Sequence, residues 1–447
     1  MNRAWLPDLI YVDGRFQADR TVVCDSTGNI VEIVGSSEAP HAIRLSNRAL
    51  LPGMVNAHSH AFQRVIRGRT EHRSQHSTDS FWTWREQMYA AANRLGPEEI
   101  YAASRMAFLE MALTGITAVG EFHYIHRAPD GSAYSDPNLL AREVIRAARD
   151  VGIRIALLRV AYARAGYQTE ANPLQVRFIE ESPETYLKHL EDLVNTPAPD
   201  DGMDWVGVAP HSVRAVPLDY LKTIVEFANE HDLPVHMHVA EQPAEVSACI
   251  EEYGRSPVAL LETEGLLSKR FTAVHAIHVT PKAIAAIARA DAMVCACPTT
   301  ERNLGDGVVP VDAYFNAGVT VALGSDSHVQ IDLLEDAREL EYHLRLQKTA
   351  RNVLAPADDA STSALARRLF DCATVSGAKS IGYKGGRLEP GAPADFFTVD
   401  LDDPSIAGAL VDDLLANIVF SGSRATVRDV VVGGKRIVED GRHFSHR

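Results

Sequence analysis

The stretch GMVNAHSH, residues 53–60, is a short apolar run that ends in two histidines. Its length and its bounded apolar character are typical of a buried β-strand. Seven further runs of this kind follow along the chain, and a longer segment separates each from the next. The eight predicted strands cover residues 53–58, 115–122, 153–160, 204–211, 233–240, 271–277, 292–298 and 319–326.

The segments between these runs carry the apolar period of amphipathic helices. Residues 97–115 and 217–232 begin at Pro and end at Gly or Asp, as helix boundaries commonly do. Residues 139–152 and 281–291 show the same period. Eight strands that alternate with helices over about 330 residues predict a parallel (β/α)8 barrel of the TIM type rather than an open sheet.

The two ends of the chain have a different pattern. Residues 9–16 and 22–35 are short apolar runs joined by turn sequences, and residues 386–400 and 427–443 return to this pattern. We therefore predict one small β-rich domain from residues 1–50 and 385–447. The barrel is predicted to occupy residues 51–384.

Composition limits the classes of partner. The chain has 447 residues and a formal net charge of -15, which argues against nucleic acid and anionic membranes. It shows no secretory leader and no apolar run approaching ~20 residues, so a cytoplasmic protein is expected. Its five cysteines are odd in number and scattered, which fits a reducing compartment. Cys295 and Cys297 lie two apart, and both a metal role and core packing are open for them.

Polar side chains gather where the predicted strands end, which is where barrel enzymes place their active sites. His58 and His60 are two apart, so both point to one face of a strand and can hold the same metal ion. A single histidine at a strand end is usually structural, but six such ends together predict a metal or catalytic site. The others carry His123, His211, His236 with His238 and Glu241, His275 with His278, and Asp326 with His328.

Four motifs together resemble the amidohydrolase superfamily. They are LPGMVNAHSHAFQR at 51–64, VHMHVAE at 235–241, VHAIHVT at 274–280 and GSDSHVQID at 324–332. Within that superfamily the chain is most similar to the formimidoylglutamate deiminases of histidine degradation. The narrower motifs that carry this likeness are NAHSHAFQR, DSFWTWREQMY, GITAVGEFHYIH, APHSVRAV and SDSHVQIDLLED.

The resemblance implies a role for each matching residue. Glu241 and His275 would act beside the metal, and Asp326 would both bind the metal and take a proton from water. Superfamily members with two metal ions use a modified lysine near the end of the fourth strand. This chain has His211 and no lysine there, so one metal ion is expected. Zinc is expected and iron is also acceptable to nitrogen and oxygen ligands. The implied metal ligands are His58, His60, His238 and Asp326, and the implied substrate contacts are Gln63, Arg85, Tyr124, His211 and Arg214.

The implied reaction is hydrolysis of N-formimino-L-glutamate to N-formyl-L-glutamate and ammonia by a metal-activated water. The substrate is a small dicarboxylate, and Arg85 and Arg214 would supply its two cationic anchors. No nucleic acid and no membrane is expected as a partner, and a homodimer is the expected assembly.

Two other functions are compatible with parts of this pattern. A metal-dependent deaminase of an aromatic base or nucleoside, such as guanine or an adenosine derivative, would share the metal site but favour stacking rings over paired arginines. A catalytically inactive barrel acting as a scaffold would typically have lost metal ligands, and none is missing here. The roles of His123, His126, His278 and His328, and whether Trp82 and Trp84 wall the site or pack in the core, stay open.

Overall fold

The computed structural model describes residues 3–72, 79–170, 172–196 and 201–446. Within these residues the strands are β1 (Arg3–Val12), β2 (Arg15–Ala18), β3 (Arg20–Cys24), β4 (Ile30–Gly35), β5 (Ile43–Pro52), β6 (Met54–Ser59), β7 (Ile116–His123), β8 (Arg154–Ala161), β9 (Asp204–Pro210), β10 (Val235–Val239), β11 (Phe271–His275), β12 (Met293–Ala296), β13 (Val321–Leu323), β14 (Phe396–Asp400), β15 (Val427–Val432), β16 (Lys435–Glu439) and β17 (Arg442–His443).

Strands β6 to β13 form one sheet in which each strand pairs in parallel with the next along the chain. All eight predicted strands are present, and the predicted (β/α)8 barrel is confirmed. Their residues are almost all buried, which explains why the runs in the sequence are continuously apolar instead of alternating.

Helices fill the intervals between these strands and cover the barrel. The four helices predicted from their apolar period are present, at Pro97–Leu113, Leu139–Val151, Leu218–Glu230 and Pro281–Arg289. The described helices are α1 (Phe81–Ala92), α2 (Pro97–Leu113), α3 (Leu139–Val151), α4 (Pro183–Val194), α5 (Leu218–Glu230), α6 (Pro243–Tyr253), α7 (Pro257–Thr263), α8 (Pro281–Arg289), α9 (Pro298–Leu304), α10 (Val311–Asn316), α11 (Leu333–Lys348), α12 (Ala364–Ala373), α13 (Val375–Ser380) and α14 (Leu414–Ser421).

The barrel closes where the segment after β13 meets β6. The Asp326 N–H donates to the His58 carbonyl and the His60 N–H donates to the Asp326 carbonyl, both at 3.0 Å. Gly324 permits this approach, because a Cβ at that position would lie 2.7 Å from the Cβ of His58. The closing seam therefore sets Asp326 beside the His58–His60 pair.

The remaining nine strands form a second sheet from both ends of the chain, as predicted. Its order is β17-β16-β15-β14-β5-β1-β3-β4, with β2 paired to β1. The antiparallel pairing of β5 with β14 joins the N-terminal to the C-terminal segment. The boundaries 1–50, 51–384 and 385–447 stay a prediction. No helix among the described residues is long and apolar enough to span a membrane.

Candidate metal centre and substrate pocket

Four side chains converge at the carboxyl end of the barrel. His58 and His60 come from β6 and the turn after it, His238 from β10, and Asp326 from the segment after β13. One potential ligand atom from each lies within 4.8 Å of the others. The Nε2 atoms of His58 and His60 are 3.2 Å apart, and Oδ1 of Asp326 lies 3.5 and 3.2 Å from them. The structure thus brings together all four predicted ligands.

These residues fit a divalent metal ion. Nδ1 of His60 lies 2.9 Å from the Phe122 carbonyl and Nδ1 of His238 lies 3.1 Å from the His211 carbonyl, so each Nδ1–H donates away from the cluster and leaves Nε2 free to bind. Burial lowers the pKa of His58, His60 and His238, which keeps their imidazoles neutral, the form that binds metals. Imidazole nitrogens and carboxylate oxygens are both ligands that zinc binds in proteins.

The backbone is strained at the strand ends that carry this cluster. Ala240, His275 and Asp326 have φ values of 52°, 68° and 46°, in the left-handed region that non-glycine residues rarely adopt. Residues held this way cluster at functional sites, where the surrounding structure maintains them. The strain supports a functional role for the ends of β10, β11 and β13.

Glu241 and His275 lie next to the cluster. Nε2 of His275 is 3.8 Å from Oε1 of Glu241 and 3.7 Å from Oδ2 of Asp326. Burial raises the pKa of the Glu241 carboxyl to about 7. Burial opposes a charge on His275, but the carboxylates of Glu241, Glu301 and Asp326 outweigh it and raise the pKa of this imidazole well above its usual value. The pair can therefore hold or pass a proton beside the metal centre.

A pocket opens onto the cluster and is lined by every predicted site residue except His58, which is fully buried. Gln63, on the turn Ala61–Ile66, donates its Nε2–H to the Tyr124 hydroxyl at 2.9 Å. The ring of His211 packs against that of Tyr162 at 4.6 Å. Phe81, Trp82 and Trp84 line the same pocket, so the two tryptophans do wall the site.

The two predicted arginines line this pocket, and Glu245 of the same pocket interacts electrostatically with Arg214. The Arg85 guanidinium lies over the rings of Trp82 and Tyr89, at 4.5 and 5.4 Å from their centroids. Arg214 donates to the Tyr162 hydroxyl at 3.3 Å and to the Ala165 carbonyl at 2.5 Å. Within the described residues neither guanidinium lies within 4.0 Å of a carboxylate oxygen. Each remains able to bind an anion.

Sequence reasoning missed several residues of the site. Tyr89 lines the pocket, and Glu245 accepts the N–H groups of Ala240 and Glu241 at 3.2 and 3.1 Å, which holds the segment that carries Glu241. Glu301 accepts a hydrogen bond from His275. Only Glu245 had a usable pattern, since it follows Glu241 by four residues.

The histidines whose roles stayed open all lie outside the pocket. His328 bridges the hydroxyls of Ser59 and Ser325 at 2.9 and 3.1 Å. The rings of His126 and His278 donate to the carbonyls of Val160 and Asp306, both at 2.9 Å. The ring of His123 packs against that of His126 at 5.9 Å. These contacts indicate structural roles.

Residues 49–437 match the model of the family described as the amidohydrolase family. The chain belongs to this family. As an amidohydrolase it is a metal-dependent hydrolase of carbon–nitrogen bonds, so the scaffold hypothesis is not supported. It is 40% identical over 442 residues to formimidoylglutamate deiminase of Pseudomonas aeruginosa, covering 99% of this chain and 94% of that protein.

Two further relatives resemble this amidohydrolase over most of the chain. A 5-methylthioadenosine/S-adenosylhomocysteine deaminase of Natronomonas pharaonis is 28% identical over 426 residues, covering 94% of this chain and 88% of that protein. The crystal structure of an amidohydrolase from Brucella melitensis superposes with a TM-score of 0.91 at 36% identity, covering 99% of this chain and 96% of that one. Both support one fold over the whole chain.

Proposed function

We propose that this amidohydrolase hydrolyses N-formimidoyl-L-glutamate to N-formyl-L-glutamate and ammonia. The observation that carries the proposal is a single pocket that opens onto the His/Asp cluster and is lined by two arginines without an ion-pair partner among the described residues. The relative that is 40% identical over nearly the whole chain is named for this activity.

The arginines account for the dicarboxylate half of the substrate. Two guanidinium groups that line one pocket, neither within ion-pair distance of a carboxylate among the described residues, favour an anionic ligand. Stacking on Trp82 and Tyr89 restricts the Arg85 guanidinium, and the two hydrogen bonds of Arg214 restrict the other. Restrained guanidinium groups suit bidentate binding of carboxylates. Gln63, Tyr124 and His211 line the same space and supply further polar contacts.

The His/Asp cluster accounts for the formimidoyl half of the substrate, where the reaction takes place. We assign His58, His60, His238 and Asp326 as ligands of one divalent ion, and zinc is the ion we propose. Bound there, the ion supplies Lewis-acid activation of water. Asp326 would help to hold the ion and would accept one proton from the attacking water.

Glu241 and His275 complete the reaction. Water oxygen adds to the formimidoyl carbon, the bond from that carbon to the terminal nitrogen breaks, and this nitrogen leaves as ammonia after gaining a proton. Glu241 pairs as a carboxylate with the cationic formimidoyl group, takes up the second proton that the adding water loses, and passes it to the leaving nitrogen. Nε2 of His275 holds the oxygen that becomes the formyl carbonyl.

The first experiment measures ammonia release from formimidoylglutamate by the zinc-loaded protein. Arg85→Met and Arg214→Met are each expected to raise KM by more than about tenfold, since each removes a charge-assisted contact. Arg289→Met is the control, because Arg289 is exposed and pairs with Glu262 outside the pocket. Normal saturation of both pocket variants would contradict the dicarboxylate assignment.

Analogues then assign each arginine to one carboxylate. N-formimidoyl-4-aminobutyrate lacks the α-carboxylate, and N-formimidoyl-2-aminobutyrate lacks the γ-carboxylate. Each arginine variant should lose affinity for the dicarboxylate and for the analogue that keeps the carboxylate bound by that arginine. It should bind the other analogue, which lacks that carboxylate, as the wild type does. Two arginines that respond identically to both analogues would contradict separate anchoring.

A nucleoside deaminase is the competing function. Phe81, Trp82 and Trp84 line the pocket, and the 28% identical relative is named as a deaminase of adenosine derivatives. Ammonia release from 5-methylthioadenosine or guanine that exceeds release from formimidoylglutamate would favour that function over the proposed one.

A further inference from the structure

The carboxylate of Glu301 lies behind His275 and outside the pocket. Glu301 is in α9, near the end of β12, and only 2% of its surface is exposed. Its Oε1 accepts the Cys297 N–H at 2.8 Å and lies 3.1 Å from Nδ1 of His275. The backbone contact fixes the oxygen that the imidazole meets.

The opposite nitrogen of the same ring faces the reacting groups. Nε2 of His275 is buried without a hydrogen-bond partner among the described residues, yet lies within 4 Å of both Glu241 and Asp326. The ring also stacks on His238, at 5.5 Å between centroids and 16° between planes. Glu301 therefore touches one edge of the imidazole while the other edge meets the pocket.

We propose that Glu301 is a positioning residue that holds His275 with Nδ1 protonated and Nε2 turned to the substrate. Oε1 of Glu301 is the oxygen that accepts the Cys297 N–H, so the ring nitrogen that meets it acts as the donor and carries a proton whatever the charge of the ring. A carboxylate behind a catalytic imidazole sets its orientation and protonated nitrogen in other hydrolases. The inference rests on the proposed function, because that function assigns Nε2 of His275 to hold the substrate oxygen.

Two other readings of this cluster are less consistent with its contacts. Atoms of His275, Cys297 and Glu301 lie close enough together to hold an ion. However, Oε1 of Glu301 already accepts one backbone N–H and faces a second donor, which leaves it poorly placed as a metal ligand. Glu301 also stabilises the start of α9 through Cys297, so the experiment must separate a structural role from a positioning role.

The first test needs no substrate. Long-range proton–nitrogen NMR spectra of the zinc-loaded protein, with His275→Asn as the assignment reference, should show a proton on Nδ1 of His275. A spectrum with Nδ1 bare and Nε2 protonated would overturn the proposal. Because this measurement is made on the wild-type chain, it does not depend on whether a Glu301 variant folds.

The second test compares two variants of Glu301. Glu301→Gln keeps an oxygen that the Cys297 N–H holds in place, so it should stay within about threefold of wild-type kcat. Glu301→Asp keeps the charge but is one methylene too short to hold both contacts, so kcat should fall at least about tenfold with KM within twofold. A kcat equal to wild type in the Asp variant, or an equal loss in the Gln variant, would overturn the proposal.

Asp336 supplies the matched control. Asp336 is a fully buried residue of α11. It accepts the N–H of Thr299 at 3.1 Å, and Thr299 lies in the same helix, α9, as Glu301. Among the described residues Asp336 forms no hydrogen bond or ion pair with His275. Asp336→Asn should leave kcat and bound zinc unchanged. If it reduces kcat as Glu301→Asp does, Glu301 is structural and the proposal fails. Failure of the proposed function is distinguishable, because the wild-type protein would then release no ammonia from formimidoylglutamate while the NMR result stands.

Discussion

His236 and His238 lie two apart on β10 and are both buried, but their contacts differ. The His236 ring donates to the Ser380 carbonyl at 2.8 Å, whereas His238 belongs to the four-residue cluster. His238→Asn should therefore lower metal affinity by more than about tenfold, and His236→Asn should retain the metal. Metal content after dialysis, measured by plasma mass spectrometry, checks both variants. Equal metal content in the two would remove His238 from the ligand set.

Glu241 has a raised pKa and lies beside the metal cluster. Because burial raises its pKa to about 7, its carboxyl is largely protonated below that pH and ionised above it. The ionised form is the one that pairs with a cationic formimidoyl group, so kcat/KM should fall about tenfold per pH unit below about pH 7. A profile of kcat/KM that is flat from about pH 5.5 to 8 would contradict this assignment.

Replacement of Glu241 tests its role independently of pH. Glu241→Gln keeps the shape of the side chain but loses the exchangeable proton and the charge. We expect kcat to fall by about 100-fold or more with bound metal unchanged, since general acid–base groups contribute about that much. Zinc content and kcat measured on one preparation decide it. A variant with wild-type kcat would exclude Glu241 from proton transfer.

At the scale of elements, the seam between β6 and the end of β13 carries three of the four candidate ligands. Gly324→Ala would place a Cβ 2.7 Å from the Cβ of His58. Either strand must then shift, so we expect a loss of about 1–3 kcal/mol in unfolding free energy together with weaker metal binding. Urea unfolding and zinc titration measure the two effects.

Gly35→Ala is the control for that substitution. Gly35 has an ordinary φ of -64°, and the nearest atom to its added Cβ is the mobile carboxylate of Glu38 at 3.1 Å. Stability and zinc affinity should stay within about 0.5 kcal/mol of wild type. If Gly324→Ala also leaves stability and zinc affinity unchanged, the two strands at the seam can accommodate the added Cβ.

At the scale of the whole molecule, one buried ion pair ties the barrel to the second sheet. Arg154, at the start of β8, donates to both oxygens of Asp395, just before β14, at 2.8 and 3.1 Å. Arg154→Met leaves Asp395 buried without its cation, so unfolding free energy should fall by about 3–5 kcal/mol. Chemical denaturation measures it, and the exposed pair of Arg289 with Glu262 is the control, expected to contribute less than about 1 kcal/mol. Equal effects would contradict a coupling role for Arg154.

The amino-acid sequence by itself determined the barrel, the second sheet and the candidate ligands. Strand runs such as 53–58 and 233–240 are local patterns, because burial on both faces selects continuous apolar residues. Histidines two apart, such as His58 and His60, can be assigned to one face without knowing the fold.

Only the tertiary structure decided which groups support those ligands. Glu301 is 26 residues from His275 and Asp395 is 241 residues from Arg154. Neither separation has a local periodicity, so no pattern in the chain predicts the contact. The physical reason is that burial and hydrogen bonding act through space, and distant residues meet only after the strands close into a barrel. Tyr89 and Glu301 joined the site for that reason alone.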